Sequence, residues 1–177
     1  MSRFVRRFIG ALMLDAGAYE DIEADRGAGP AAVFVIVLAC VAGAVAGRSA
    51  SAAGAPGFAI AMAMMLGWWI VWAMLITAVG TRLLPEPQTR SNPSELLRSI
   101  GFAAAPGIFF AFAALPAVAM FVFVLVTLWM IAATVIAVRQ ALDYTTTWRA
   151  VAVCVIAWVL SFGVIAAIST VFTRPVS

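Results

Sequence analysis

Four long runs of apolar residues divide the chain: Pro30–Gly47, Gly57–Gly80, Ala117–Val138 and Trp148–Phe172. A helix rising 1.5 Å per residue needs about 20 mostly apolar residues to cross a bilayer, with roughly 17 as the lower limit. All four runs qualify, the first at the short end. A fifth stretch, Ser99–Leu115, is apolar but short, and Pro106 interrupts it. Proline removes a backbone donor and kinks a helix. This stretch reads either as a kinked span or as a re-entrant hairpin, which is tolerated at membrane depth where protein covers it. The predicted architecture is an all-α, polytopic transmembrane bundle of five spans, at 30–47, 57–80, 97–115, 117–138 and 148–172, the third kinked at Pro106.

Ahead of the first run, Phe4, Val5, Phe8, Ile9 and Leu12 recur at helical spacing, with Arg3, Arg6 and Arg7 on the other side. The pattern predicts a short basic amphipathic helix, with those three arginines on an anionic inner leaflet. The stretch YEDIEADRGAGP, Tyr19–Pro30, follows, and together with Asp15 it holds five of the eight acidic residues. Residues 1–28 therefore read as a cytoplasmic segment and 29–177 as the membrane domain. Five spans with the N-terminus inside place nine arginines in the cytoplasm and two outside; a re-entrant third segment gives eight and three. Both arrangements satisfy the positive-inside rule and keep the acidic stretch cytoplasmic.

Composition excludes a water-soluble fold. The chain is 65% hydrophobic and 11% charged, where a soluble domain has roughly 45–50% and 25%. Mean hydropathy is +1.09. All eleven cations are arginine and there is no histidine, which removes the commonest general base and metal ligand. The arginines are scattered along the chain, so the basic balance reflects membrane orientation and implies no nucleic acid partner. Cys40 and Cys154 lie inside apolar runs and read as structural thiols.

The acidic stretch is the main candidate for chemistry. Glu20, Asp21, Glu23 and Asp25 offer carboxylates, but a Mg²⁺ or Ca²⁺ site needs oxygen ligands converging from a turn, and no EF-hand pattern is present. No catalytic residue, metal site or cofactor is expected. A solvated face or a docking surface remains, the latter for a basic partner or for the chain's own Arg82, Arg90, Arg98 and Arg139. No Asp, Glu, Lys or His lies well inside a span, so no proton relay is visible. Thr127, Thr134, Ser161 and Ser169 are expected to form helix–helix hydrogen bonds, or else to line a channel. Small residues repeat every fourth position at Gly43 and Gly47, and at Ala59, Ala63 and Gly67. Such faces allow close approach, within the bundle or between copies. Trp148 suits an interfacial anchor, and Trp68, Trp69 and Trp72 suit packing or lipid contact.

GFAAAPG, with Gly101, Phe102 and Pro106, resembles the Gly-Tyr-x-x-x-Pro motif of the Yip (Ypt-interacting protein) family, with Phe in place of Tyr. DRGAGP keeps Asp25, Gly29 and Pro30 of that family's Asp-Leu-x-Gly-Pro motif at altered spacing. The lead-in YEDIEADRGAG and the linker AVRQALDYTTTWRA resemble the bacterial branch. The resemblance covers nearly the whole chain. It implies five spans, a cytoplasmic N-terminus, an external C-terminus and a non-enzymatic protein of the bacterial inner membrane. Eukaryotic relatives bind small GTPases in vesicle trafficking, a pathway bacteria lack. The expected function is a scaffold or adaptor that binds protein partners at the cytoplasmic face, alone or as a homo-oligomer. The alternative is small-solute or ion permeation.

Overall fold

A computed structural model describes residues 1–49, 54–87 and 92–172. Arg90, Arg174 and the side chains of Arg48 and Ser169 lie outside the described part. The described chain is all-α. Helices α1 (Arg3–Leu12) and α2 (Ala16–Ala24) form an antiparallel N-terminal hairpin. They are followed by α3 (Gly29–Ser49), α4 (Gly54–Ala78), α5 (Pro93–Ala103), α6 (Ala119–Ala141) and α7 (Thr147–Phe172). A π-helical turn, Val79–Leu83, extends α4, and a 3-10 helix, Ala105–Ala114, extends α5. Five helical segments are long and apolar enough to cross a membrane: Arg26–Gly47, Pro56–Leu83, Pro93–Ala114, Ala119–Ala141 and Thr147–Val164.

The third segment shows how a short apolar stretch can span. Pro106 does not merely kink an α-helix. From Ala105 the chain tightens into ten residues of 3-10 helix. A 3-10 helix rises 2.0 Å per residue and rarely persists beyond 3–4 residues. At these rises Ser99–Ala114 covers ~29 Å, about the thickness of the hydrocarbon core. Its neighbours stabilise this unusual run. The segment packs most extensively against α3 and next against α6. A Cβ on Gly107 would come within 2.8 Å of Ala39 Cβ, and a Cβ on Gly101 within 2.8 Å of Ala32 Cβ. The two glycines let the third span lie directly on α3.

Local sequence explains the element ends. Ser2 accepts from Val5 N at the start of α1, and Asp15 accepts from Gly17 N at the start of α2. Asn92 and Glu95 form a reciprocal capping box ahead of α5, with Pro93 in its first turn. Helices α1 and α6 end alike. Leu14 (φ 59°) and Asp143 (φ 52°) take the left-handed position usually given to glycine. Asp15 N then bonds Gly10 O, and Tyr144 N bonds Arg139 O. The second of these turns aims Tyr144 back at α4.

Two apolar cores hold the bundle. One joins the hairpin to the spans through Ala11, Tyr19, Ile22, Val35, Phe102 and Ala137. The other, including Ile76, Val79, Leu96, Val138, Leu142 and Tyr144, knits α4 to α5, α6 and α7. Both thiols are free, Cys40 buried and Cys154 half-buried. Two of the expected span hydroxyls bond within their own helices. Thr134 donates to Met130 O at 2.8 Å and Ser161 to Ala157 O at 2.7 Å, each four residues back on its own helix. That carbonyl is the nearest acceptor, so back-bonding satisfies the hydroxyl without a partner helix.

The candidate docking face and the N-terminal hairpin

The acidic stretch folds onto α1. Arg7 is 7% exposed. Its Nη1 donates to Asp25 Oδ2 at 2.8 Å, its Nε to Asp21 Oδ2 at 3.1 Å and its Nη2 to Asp21 O at 3.1 Å. Arg6 Nη2 reaches Asp21 Oδ2 at 2.7 Å on the solvent side. The Arg7 hydrogen bond leads the effects that hold the Asp21 carboxyl below its ordinary range. The same is true of Asp25, where the Gly27 N–H adds to it. Two arginines of α1 and the two aspartates at positions 21 and 25 therefore satisfy each other.

The three arginines expected to meet anionic lipid are thus placed differently. Arg7 is buried in ion pairs and Arg6 is committed to Asp21, while Arg3 stays on the exposed side. The apolar face of α1 is also divided. Phe4, Phe8 and Leu12 pack against the core, whereas Val5 and Ile9 face outward, 39% and 40% exposed. Phe4 meets Phe34 and Phe102, with ring centroids 5.9 Å and 6.3 Å away.

The hairpin lies along the bundle. Trp129 Nε1 donates to Leu12 O at 2.9 Å, and Gln140 Nε2 to Glu20 Oε1 at 2.8 Å. Those two α6 residues are about 16 Å apart along the helix axis. Arg98 Nη2 donates to Glu23 O at 2.6 Å and its Nη1 to Ser94 Oγ at 3.4 Å. The buried Arg98 Nε and Ser99 Oγ have no partner among the described residues. Tyr19 is wholly buried and donates weakly to Ala11 O at 3.4 Å.

A second set of polar contacts closes the loops at this end. Tyr144 Oη contacts Gly80 O at 3.0 Å and Leu84 O at 2.9 Å. Glu86, 8% exposed, pairs with Arg149 at 3.0 Å and accepts from Thr145 N at 3.3 Å. Sequence reasoning missed this cluster. One signal was present: Glu86 is one of only three acids beyond Asp25, and it sits in a proline-rich loop.

The family-motif residues are structural. Phe102 is wholly buried, Gly101 admits Ala32, and Pro106 lies in the first turn of the 3-10 run. Asp25 receives both Arg7 and Gly27 N. Pro30 sits in the first turn of α3, where its missing N–H costs nothing. Gly29 has open space at its Cβ position.

Of the small-residue positions, only Gly43 meets a neighbour, the end of the Met65 side chain. Gly47, Ala59, Ala63 and Gly67 face outward. Trp148 is 81% exposed. Trp68, Trp69 and Trp72 border an apolar hollow of about 310 Å³ with Cys40, Met130 and Trp158; it has no acidic or basic lining residue. No group of three or more Cys, Asp or Glu suited to a metal occurs among the described residues.

No curated protein and no solved structure matches the chain. The Yip1 domain matches residues 13–168, a range that includes α2 and all five candidate spans. That match covers most of the chain and brings its spans and buried Gly-Phe-x-x-x-Pro segment under one description: the protein is a multi-pass membrane protein of the Yip family.

Proposed function

We propose that the protein is a non-enzymatic scaffold or adaptor of the bacterial inner membrane, with a cytoplasmic N-terminus and an external C-terminus. It would bind partner proteins at the cytoplasmic face through the hairpin. One observation carries this reading. Five of the chain's eight carboxylates lie on a folded hairpin, where Arg6 and Arg7 pair with Asp21 and Asp25, while Thr134 and Ser161 in the spans are closed on their own helices. Asp21 and Arg6 keep 41% and 64% of their side chains exposed, so the hairpin presents both charge signs to a partner. Glu20, Asp21, Glu23 and Asp25 form the proposed docking surface. The outward Ala59, Ala63 and Gly67 face of α4 is where a second copy would pack.

The test is a quantitative pull-down from native membranes with crosslinking and mass spectrometry. Neutralising Glu20, Asp21, Glu23 and Asp25 together is expected to deplete specific partners. Because Asp21 and Asp25 also hold Arg7, the E20Q/E23Q pair keeps the hairpin's internal ion pairs and is expected to give partial depletion. Identical partner sets for wild type and both variants would remove the reading.

A further inference from the structure

We propose that the α1–α2 hairpin is a pH-responsive strap, held against α5 and α6 while Glu23 is protonated and loosened once it ionises. Glu23 is half-buried at the seam between hairpin and bundle. Asp143 of the α6–α7 turn and Glu20 of its own helix border the same hollow as Glu23, and Arg98 of α5 reaches its backbone carbonyl. Arg139, Gln140 and Tyr144 share with Glu20, Glu23 and Asp143 a hollow of about 300 Å³. Carboxylates from α2 and from the α6–α7 turn thus share one hollow, and the charge of Glu95 on α5 adds to theirs. Arg98 gives an N–H to the Glu23 backbone carbonyl, and Arg139 gives one to Thr147 Oγ1.

Burial first, then Asp143 and Glu95, push the Glu23 carboxyl from 4.5 up to about 7. In an undocked hairpin the group returns to its ordinary value. A pKa raised by docking favours the docked form fully below the ordinary value, and that advantage fades as pH rises through the docked value. From below 4.5 to above 7 the docking equilibrium weakens by roughly two orders of magnitude. Release would bare Phe102 and the Trp129 indole, which the hairpin now contacts. The device concerns the proposed docking surface but does not rest on it, because strap opening needs no partner.

The test measures spin-label distances between A24C and T146C in lipid nanodiscs, in full-length protein carrying C40A and C154A. Wild type is expected to show one short distance at pH 5 and a growing longer, broader population by pH 8.5. E23Q, permanently uncharged there, should keep the short distance throughout. D143N removes one repelling charge and should shrink the response. A wild-type distribution independent of pH overturns the proposal. So does an E23Q or D143N response equal to that of wild type.

Discussion

Arg7 Nη1 lies 2.8 Å from Asp25 Oδ2, across the eighteen residues that separate them in the chain. The contact closes the hairpin and fixes the entry to α3. Arg7→Met would leave Asp21 and Asp25 facing each other without their shared cation. The hairpin should then be cleaved faster by protease in detergent micelles, with the spans still resistant. Equal cleavage rates for variant and wild type would show that the pair contributes little.

The Gly101 contact with α3 predicts an asymmetric pair of substitutions. Gly101→Ala places a methyl 2.8 Å from Ala32 Cβ, and overpacking of this kind costs about 1–3 kcal/mol. Gly67→Ala meets nothing within 4 Å and exchanges a poor helix former for a good one, a gain of up to about 1 kcal/mol. Thermal unfolding in one detergent should place the first below wild type and the second at or above it.

Tyr144→Phe removes the hydroxyl shared by Gly80 O and Leu84 O at the end of α4. Losing a buried hydrogen-bonding group costs about 1–3 kcal/mol. The expected result is a lower unfolding midpoint and faster amide exchange in the Val79–Leu83 turn, with the hairpin unaffected.

Acid should loosen the hairpin as alkali does, but through different groups. Asp21 and Asp25 have lowered pKa values through their bonds to Arg7. Their contribution is present above the ordinary value of 3.8 and is lost as pH falls through the lowered values. Glu23 contributes in the other direction, losing its effect as pH rises toward about 7. Protease resistance of the hairpin should therefore be greatest between these limits. Arg7→Met should abolish the acid limb and leave the alkaline one.

The spans were legible because hydrocarbon imposes a length and an apolar composition that a linear sequence displays directly. The third span was ambiguous for a physical reason: 17 apolar residues are short only at α-helical rise, and nothing local announces ten residues of 3-10 helix. The glycine and proline of its motif were visible, but the need for them appears only once Ala32 and Ala39 are seen opposite. The hairpin was half legible. Its amphipathic spacing foretold α1, yet a helical pattern does not say which of Val5, Phe8 and Ile9 meets protein. Nor could it say that Arg7 is matched by Asp21 and Asp25, fourteen and eighteen residues away. Tyr144 and Glu86 escaped notice because their partners are some 60 residues distant.

The hairpin lies along α6, and thiol crosslinking across that contact tests this placement most directly. Glu20→Cys and Gln140→Cys, at positions whose longer native side chains meet tip to tip at 2.8 Å, would be treated with a short bis-thiol-reactive crosslinker in native membranes of a C40A/C154A background. The prediction is rapid, near-complete internal crosslinking, with little when Glu20→Cys is paired instead with T146C. Absence of the 20–140 crosslink, in protein that otherwise inserts and accumulates normally, would contradict it.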